Sequence, residues 1–346
     1  MTTAINPQQT GGARPATILT YERTDPRDKS IAWLREQGFE VRSGRADADP
    51  TLKSYTEDEI IAEARDCDAV LGSSGAIFTR RVIEALPRLR YISKLGIGVD
   101  SIDVAAATER GIQVSNTPEN AGVIAVAEHA IAIMLAVCKR LPVWTPEFFR
   151  RGGWRGSEFA GMLDGATIGI VGYGRIGRAV AQRLAGWNVD IVAYDPMPAG
   201  ATPGVTMVSM QELLERADIV TLHCGATAEN RHMIDAVALA RMKPTAILVN
   251  TGRGSLVDGR ALVAALEAKR IAGAGLDVFE TEPPDPADRL FQLDNVIVTP
   301  HAATRTLRVF LDRRWQAARN LCAMINGMPC ADVVNPEARA KWEKRT

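Results

Sequence analysis

Histidine is scarce in this chain of 346 residues, and one of its four copies, His301, stands where a side chain can do chemistry. The letters VIVTP before it predict a short buried strand that ends at Pro300. His301 therefore falls where a strand passes into a loop, and in open parallel α/β sheets that edge faces the ligand crevice. An imidazole there can exchange a proton near neutral pH, so His301 is a candidate acid–base catalyst.

Other charged residues follow predicted strands in the same way. Arg253 lies between two glycines in VNTGRGSLVD, and its planar guanidinium suits a carboxylate, although an isolated loop arginine more often binds backbone carbonyls. Asp277, Glu280 and Glu282 follow the run AGAGL. An acid beside a histidine raises its pKa, so Glu282 and His301 could form a proton relay. For Glu280 we favour a solvated loop charge.

A glycine motif precedes these residues in IGIVGYGRIGRAVAQRL. Gly172, Gly174 and Gly177 come directly after a predicted strand and open a predicted helix, the arrangement that binds a pyrophosphate. Asp195 closes the next strand, where a carboxylate accepts hydrogen bonds from the ribose hydroxyls and repels the 2′-phosphate of NADP. The segment DPMPAG offers no Lys or Arg to that phosphate. The sequence therefore predicts a dinucleotide site for NAD.

The other three histidines carry weaker signals. His129 lies inside an apolar helical pattern and is expected to be a satisfied core residue. His223 adjoins Cys224, but no further ligands are near in sequence, so we expect no metal site. His232 is expected to be a surface residue at a helix start.

Composition excludes several function classes. The chain carries 41 Lys and Arg against 41 Asp and Glu, and no basic stripe points to a nucleic-acid partner. Its five cysteines lack metal spacing, which predicts reduced thiols and a cytoplasmic location. The polar N-terminus predicts neither a secretion signal nor an anchor. The apolar segment from Val123 to Val137 contains Glu128 and His129, and we expect it to be too short and too charged to span a membrane.

Short β-branched runs alternate with amphipathic stretches twice along the chain, which predicts parallel sheets covered by helices. The first series runs from ATILTYE to IQVSNTP, and the second from ATIGIVGY to NVIVTP. A long helix is expected between them, from about Ala121 to Arg140. Apolar residues after His301 recur at helical spacing, and since no strand follows, this last helix is expected to pack on the N-terminal domain.

These segments resemble motifs of the D-isomer-specific 2-hydroxyacid dehydrogenase family from about Ala16 to Pro336. The resemblance rests on the glycine motif and on KLGIGVDSIDVAAATERGIQVSNTPENAGVIAVAEHA, LVNTGRGSLVD, GAGLDVFETEPP and NVIVTPHAA. It implies an α/β fold of two doubly wound parallel-sheet domains, flavodoxin-like and Rossmann, with an interdomain cleft and usually a homodimer. It also implies a discontinuous substrate domain over residues 16–120 and 305–336, an NAD domain over 121–304, and tails at 1–15 and 337–346.

The resemblance also implies roles for particular residues. Arg253 would bind the substrate carboxylate and carbonyl, with Glu282 and His301 completing the catalytic set, and Asp277 would contact the nicotinamide amide. The implied cofactor-binding residues are Gly172, Tyr173, Gly174, Arg175, Ile176, Gly177, Asp195, Thr251 and Asp277. The implied substrate-binding residues are Ser74, the backbone amides of Leu95, Gly96, Ile97 and Gly98, and Arg253.

Two departures from the family pattern bear on the substrate. Ser73, Ser74 and Gly75 stand where phosphoglycerate-oxidising members carry arginines, which disfavours a phosphorylated substrate. Gly225 and Ala226 replace a usual Pro-Leu pair, so that loop is expected to sit differently. The predicted function is NAD-dependent interconversion of a small 2-oxo acid and its (R)-2-hydroxy acid, of the glyoxylate or hydroxypyruvate reductase type. Phosphoglycerate dehydrogenase and an NAD-sensing corepressor-like protein are the alternatives.

Overall fold

The computed structural model describes residues 14–21, 25–44, 54–72, 75–154, 159–197, 200 and 202–343. Within them the chain forms two compact units, one drawn from residues 1–122 and 306–346 and the other from residues 123–305. Each unit contains one all-parallel sheet, so the predicted α/β class with two parallel sheets is confirmed. The predicted N-terminal tail, residues 1–15, lies outside the described residues apart from Arg14 and Pro15.

The described strands, in chain order, are β1 (Thr17–Thr20), β2 (Glu40–Ser43), β3 (Ala69–Leu71), β4 (Tyr91–Ser93), β5 (Gln113–Ser115), β6 (Thr167–Val171), β7 (Asp190–Tyr194), β8 (Val205–Met207), β9 (Ile219–Leu222), β10 (Ile247–Asn250), β11 (Gly273–Leu276) and β12 (Val296–Val298). The described α-helices are α1 (Ser30–Glu36), α2 (Glu57–Ala64), α3 (Arg80–Ala85), α4 (Val104–Glu109), α5 (Asn120–Cys138), α6 (Pro146–Arg150), α7 (Arg175–Leu184), α8 (Met210–Arg216), α9 (Ala236–Arg241), α10 (Gly259–Glu267), α11 (Leu307–Ile325) and α12 (Ala338–Glu343).

The first unit has the strand order β2-β1-β3-β4-β5. Successive residues of a strand point to opposite faces, so Ile18 packs on one side of the sheet and Leu19 on the other. Residues of α1 and α11 cover the first side, and residues of α2, α3 and α4 cover the second. Strands β1, β3 and β4 are therefore buried on both faces, whereas the edge strand β2 buries only Val41.

The two C-terminal helices belong to this unit. Helix α11 packs against β4 and α1, which confirms the expectation that the last long helix returns to the N-terminal domain. The predicted tail at 337–346 is wrong for α12, which forms a helix and packs on α4. Gly111 allows this contact, because a Cβ there would lie 2.7 Å from the backbone nitrogen of Trp342.

The second unit has the strand order β12-β11-β10-β9-β6-β7-β8. The chain starts at β6, moves outward to β8, then returns to β9 and moves outward the other way. The order thus reverses between β6 and β9, and open α/β sheets bind ligands in the crevice beyond the strand ends at such a point. Side chains of α8, α9 and α10 bury one face of this sheet, and those of α5 and α7 bury the other.

Helix α5 (Asn120–Cys138) lies close to the predicted helix from Ala121 to Arg140 but is more apolar than expected. It runs for 19 residues, and an 18-residue window has a mean hydropathy of 2.1, so by length and composition it could cross a membrane. The expectation that it is too short is wrong. Its burial nevertheless matches a core helix, since 67% of that window is buried inside the protein.

Candidate active site

The turn after β6 has the close contacts that a dinucleotide cradle requires. Gly172 has φ +88°, and a Cβ there would lie 2.6 Å from the backbone nitrogen of Cys224. A Cβ on Gly177 would lie 2.2 Å from the carbonyl oxygen of Gly172, whereas at Gly174 nothing lies within 4 Å. The first and third glycines thus let backbone segments meet, and the second leaves space before α7 begins at Arg175. This cradle fits a pyrophosphate at a helix N-terminus.

Asp195 follows β7 and is held by the backbone on both oxygens. Its Oδ2 accepts from the N–H of Tyr173 at 2.7 Å, and its Oδ1 accepts from the N–H of Met197 at 2.9 Å. The carboxylate therefore stands beside the glycine turn, with further lone pairs able to accept from ribose hydroxyls. One cation reaches this region from elsewhere in sequence, since Arg178 of α7 donates to Thr202 at 3.1 Å.

His223 and Thr251 are buried and lie directly after β9 and β10. His223 is 9% exposed, and burial lowers its pKa to about 3, so it is neutral. Its ring contacts the hydroxyl of Thr221 at 2.9 Å and that of Thr251, which is itself 7% exposed, at 3.4 Å. Within the described ranges no group of three or more His, Cys, Asp or Glu side chains is placed to hold a metal ion.

Arg253 lies in an extended conformation after β10, directly before a 3-10 helix over Gly254–Leu256. Its carbonyl accepts from the side-chain amide of Asn250 at 2.9 Å, and its guanidinium donates to the carbonyl of Gly252, also at 2.9 Å. A Cβ on Gly254 would lie 1.9 Å from the carbonyl carbon of Phe279. The Arg253 loop therefore touches, backbone to backbone, the loop that carries Glu282.

The predicted pairing of Glu282 with His301 is present. Nδ1 of His301 lies 2.8 Å from Oε2 of Glu282, whose Oε1 accepts from the N–H of Phe279 at 3.0 Å. The hydrogen bond from Glu282 raises the pKa of His301, while burial and the positive charge of Arg253 act in the opposite direction. Burial raises the pKa of Glu282, but the bonds from His301 and Phe279 outweigh it and the pKa is lowered. His301 keeps 53% of its side chain exposed, so Nε2 can reach a substrate.

Asp277 is buried at the end of β11. It is 1% exposed, and its carboxylate accepts from the hydroxyl of Thr299 at 2.5 Å and from the N–H groups of Ala302 and Ala303 at 2.7 and 3.1 Å. Burial raises its pKa, but these bonds and one from His129 outweigh it, so the pKa is lowered. The side chain organises the turn around His301, and the implied contact with the nicotinamide amide stays a prediction.

Two residues that contact Asp277 have no role assigned from the sequence. The sequence pattern assigns Thr299 to a strand and predicts that His129 is a satisfied core residue. The helical spacing of His129 on α5 gave no sign of its contact at 2.9 Å with the Thr299 hydroxyl, because that contact depends on how α5 lies on the sheet.

In the first unit, the implied carboxylate loop at residues 95–98 follows β4. The N–H of Gly96 donates to the hydroxyl of Thr117 at 2.6 Å, and the implied contact of this amide with the substrate carboxylate stays a prediction. Asn116 donates to the carbonyl of Ile97 at 2.8 Å. Within the described residues no hydrogen bond is formed by the N–H groups of Ile97 and Gly98. The implied contact Ser74 lies outside the described residues.

Glu280 and His232 lie beside this chemistry without joining it. Glu280 is half-exposed, as expected of a solvated loop charge, but it pairs with Arg231 and contacts Nε2 of His232 at 2.8 Å. The backbone N–H of His232 donates to the carbonyl of Ser255 at 2.8 Å. These contacts tie three surface loops together on the Glu282 side of the site.

The second unit therefore assembles, along the carboxyl edge of one sheet, a dinucleotide cradle, an arginine for an anion and a carboxylate–imidazole pair for a proton. Strands β10, β11 and β12 are adjacent, which places the loops of Arg253, Glu282 and His301 side by side. Such a set can transfer a proton to or from the oxygen of a carbonyl or hydroxyl group. A nicotinamide cofactor would exchange a hydride with the carbon that bears this oxygen.

Comparisons with known proteins agree with this chemistry. Residues 131–303 match the model of the D-isomer specific 2-hydroxyacid dehydrogenase family, NAD binding domain. A glyoxylate reductase of Korarchaeum cryptofilum is 40% identical over 312 residues, which cover 87% of this chain and 91% of that protein. The crystal structure of a glyoxylate reductase from Paecilomyes thermophila superposes with a TM-score of 0.80 at 30% identity, covering 94% of this chain and 99% of that one.

A D-3-phosphoglycerate dehydrogenase of Archaeoglobus fulgidus is also similar, at 36% identity over 312 residues. The match covers 89% of this chain but only 57% of that protein. This chain therefore spans nearly the whole length of the glyoxylate reductase relative but little more than half the length of the phosphoglycerate dehydrogenase relative.

Proposed function

This chain belongs to the D-isomer-specific 2-hydroxyacid dehydrogenase family, and from that premise we propose that it reduces a small, unphosphorylated 2-oxo acid of the glyoxylate or hydroxypyruvate type. The chain is an NAD-dependent oxidoreductase. The observation that carries the proposal is the His301–Glu282 pair at 2.8 Å, in a loop adjacent to that of Arg253.

The roles of the side chains follow from their geometry. NADH, when bound, supplies the hydride that reduces the substrate's carbonyl carbon. Glu282 holds Nδ1 of His301, which leaves Nε2 to donate its proton to the carbonyl oxygen. Arg253 binds the carboxylate with its planar fork and stabilises negative charge that develops on the oxygen. In oxidation the neutral imidazole accepts the hydroxyl proton instead.

Two features support an unphosphorylated substrate. The segment Ser73–Ser74–Gly75 offers no arginine to a phosphate, although phosphoglycerate-oxidising relatives carry arginines there. The name of the Korarchaeum relative, glyoxylate reductase, supports the smaller substrate class.

The test is NADH oxidation by the purified protein with glyoxylate, hydroxypyruvate, pyruvate and 3-phosphohydroxypyruvate. We expect the highest kcat/KM for glyoxylate or hydroxypyruvate. His301→Asn should lower kcat by about 10²–10⁴-fold and leave NADH binding nearly intact. A preference for the phosphorylated acid would overturn the substrate class. Tight NADH binding without turnover of any acid would point instead to an NAD-sensing protein.

We further propose that two copies of this chain associate through an exposed apolar surface after α5. Trp154, Phe159 and Met162 are 73%, 98% and 65% exposed, and Phe149 stacks edge-on with Trp154 at 6.5 Å. An exposed apolar cluster such as the Phe149–Trp154 pair is typical of a protein interface. Light scattering of the wild type should give the mass of a dimer, and Phe159→Ser should shift that mass toward the monomer. A wild-type protein with the mass of a monomer would refute the proposed dimer.

A cytoplasmic location, with neither nucleic acid nor membrane as partner, is also proposed. The cysteines of the described residues are all free thiols, and positive and negative charges balance. Fractionation of cells producing the full chain should place it in the cytosol, and recovery with membranes or nucleic acid would refute this part of the proposal.

A further inference from the structure

The backbone at His301 adopts a conformation that is uncommon for residues with a Cβ. Its φ is +51°, in the left-handed region, where a residue with a Cβ loses roughly 1–2 kcal/mol relative to the right-handed one. Three consecutive N–H groups of this turn converge on Asp277. That of His301 donates to the Asp277 carbonyl at 2.8 Å, and those of Ala302 and Ala303 donate to its carboxylate at 2.7 and 3.1 Å. Asp277 therefore compensates the strained turn.

The carboxylate of Asp277 is in turn approached by two side chains. The Thr299 hydroxyl lies 2.5 Å from Oδ1. Nε2 of His129, on α5, lies 2.9 Å from the same hydroxyl and 3.4 Å from Oδ1. Because Asp277 is ionised, the proton of the hydroxyl must point to the carboxylate. The hydroxyl oxygen then accepts, and Nε2 of His129 must be the donor.

We propose that His129 is a positioning residue for His301, acting through the Thr299 hydroxyl and the Asp277 carboxylate. Nε2–H of His129 fixes the direction of the Thr299 hydroxyl, that hydroxyl completes the donors around Asp277, and Asp277 holds the turn that carries His301. This series of contacts begins on α5 and ends at His301. Its role in catalysis rests on the proposed function.

The energetic reason is the burial of a charge. Asp277 is 1% exposed, so each donor lost around it leaves a buried carboxylate incompletely satisfied, which costs about 1–3 kcal/mol. That loss is comparable to the strain at His301, and the turn can then relax toward a right-handed conformation. A displacement of about 1 Å at a catalytic group can lower the rate by about 10²-fold.

Four titratable or charged groups surround the His301 turn: Glu282, Asp277, Arg253 and His129. Glu282 contacts the His301 ring directly, at 2.8 Å, and favours the protonated form. A relaxed turn would weaken that contact, so the pKa of His301 should fall. The alkaline limb of the reduction reaction should then move to lower pH.

The test compares His129→Leu, which removes the donor, with His129→Gln, which keeps an N–H group. We expect the leucine variant to lose about 10- to 100-fold in kcat with an unchanged Kd for NADH, and its alkaline limb to move to lower pH. The glutamine variant should recover part of both effects. Thr299→Val and Thr299→Ser form a second pair, needed should His129→Leu fail to fold, with the serine variant expected to resemble wild type.

A readout without turnover separates this inference from the proposed function. NMR titration of the labelled histidine rings, with the His301 signal identified through His301→Asn, gives its pKa directly in each variant. A downward shift in His129→Leu and Thr299→Val supports the positioning role even when no 2-oxo acid is reduced. An unchanged His301 titration together with an unchanged kcat in both variants would overturn it, and so would an equal loss of NADH affinity.

Discussion

Replacing Gly254 with alanine tests whether the Arg253 loop and the Glu282 loop must remain in backbone contact. The new Cβ would lie 1.9 Å from the carbonyl carbon and 2.0 Å from the carbonyl oxygen of Phe279. Ordinary contact between carbon atoms is about 3.5 Å, so one loop must move by roughly 1.5 Å. No rotamer change can relieve this clash, because both partners are backbone.

The displacement should appear in both stability and rate. Overpacking of this kind typically costs about 1–3 kcal/mol, and Tm falls by roughly 2–4 °C per kcal/mol for a folding unit of the size of Val123–Arg305. The Phe279 N–H donates a hydrogen bond to Glu282, so a displacement of Phe279 also moves the carboxylate that binds His301. We expect kcat/KM for glyoxylate to fall by about 10²-fold, since misplacement by about 1 Å has that effect. The dinucleotide turn follows β6, so the Kd for NADH should stay close to that of wild type.

Gly259→Ala is the matched control, because Gly259 is the first residue of α10 and nothing lies within 4 Å of its added Cβ. Alanine favours a helix over glycine, so Tm should stay constant or rise slightly. NADH oxidation, NADH binding and thermal unfolding of both variants test whether the Arg253 and Glu282 loops must remain in contact. A Gly254→Ala enzyme with wild-type kcat/KM and Tm would refute the argument that these loops are locked together.

Four further predictions concern single groups of the site. Arg253→Lys keeps the charge but loses the planar fork, so kcat/KM should fall by roughly 10²-fold with little change in NADH binding; a parallel loss of NADH affinity would assign Arg253 to the cofactor. Glu282→Gln removes the charge that raises the pKa of His301, so the alkaline limb of reduction and the acid limb of oxidation should both move to lower pH, and superimposable pH profiles would exclude the coupling. Gly172→Ala should abolish measurable NADH binding and lower Tm, because the new Cβ would lie 2.6 Å from backbone and φ is +88°; retained affinity would contradict the cradle. Asp195→Ala should weaken NADH and narrow its advantage over NADPH, whereas a wild type that prefers NADPH would contradict the reading of that strand end.

Features that depend on sequence-local physics were predictable. Strand β12 and the position of His301 after it followed from an apolar run ended by Pro300, and the structure has both. The glycine turn followed from steric requirements that only glycine meets, as the contacts of Gly172 and Gly177 show. The pairing of Glu282 with His301 was also expected, because the ends of adjacent parallel strands must meet at one edge.

Features that depend on tertiary contacts could not be predicted from the sequence. Whether the N–H of Gly96 faces a substrate or Thr117 depends on where the loop after β5 lies, and no local pattern records it. Helix α12 is only six residues long and is held by its contact with α4, so its local sequence resembled a tail. The segment DPMPAG offers no cation, whereas Arg178 of α7 reaches Thr202, which lies 24 residues away in sequence.

The place of His129 follows from a match between two repeat lengths. Added Cβ atoms at Gly273 and Gly275 of β11 would lie 2.8 Å from Val137 and 1.9 Å from Ile133, so α5 rests directly on this strand. Two strand residues span about 6.6 Å and four helix residues about 6 Å, so each step of two along β11 pairs with a step of four back along α5. The next pair in that series is Asp277 with His129, and their side chains are 3.4 Å apart. The same glycines that let the helix approach the sheet thereby bring the His129 imidazole to the buried carboxylate that binds the His301 turn.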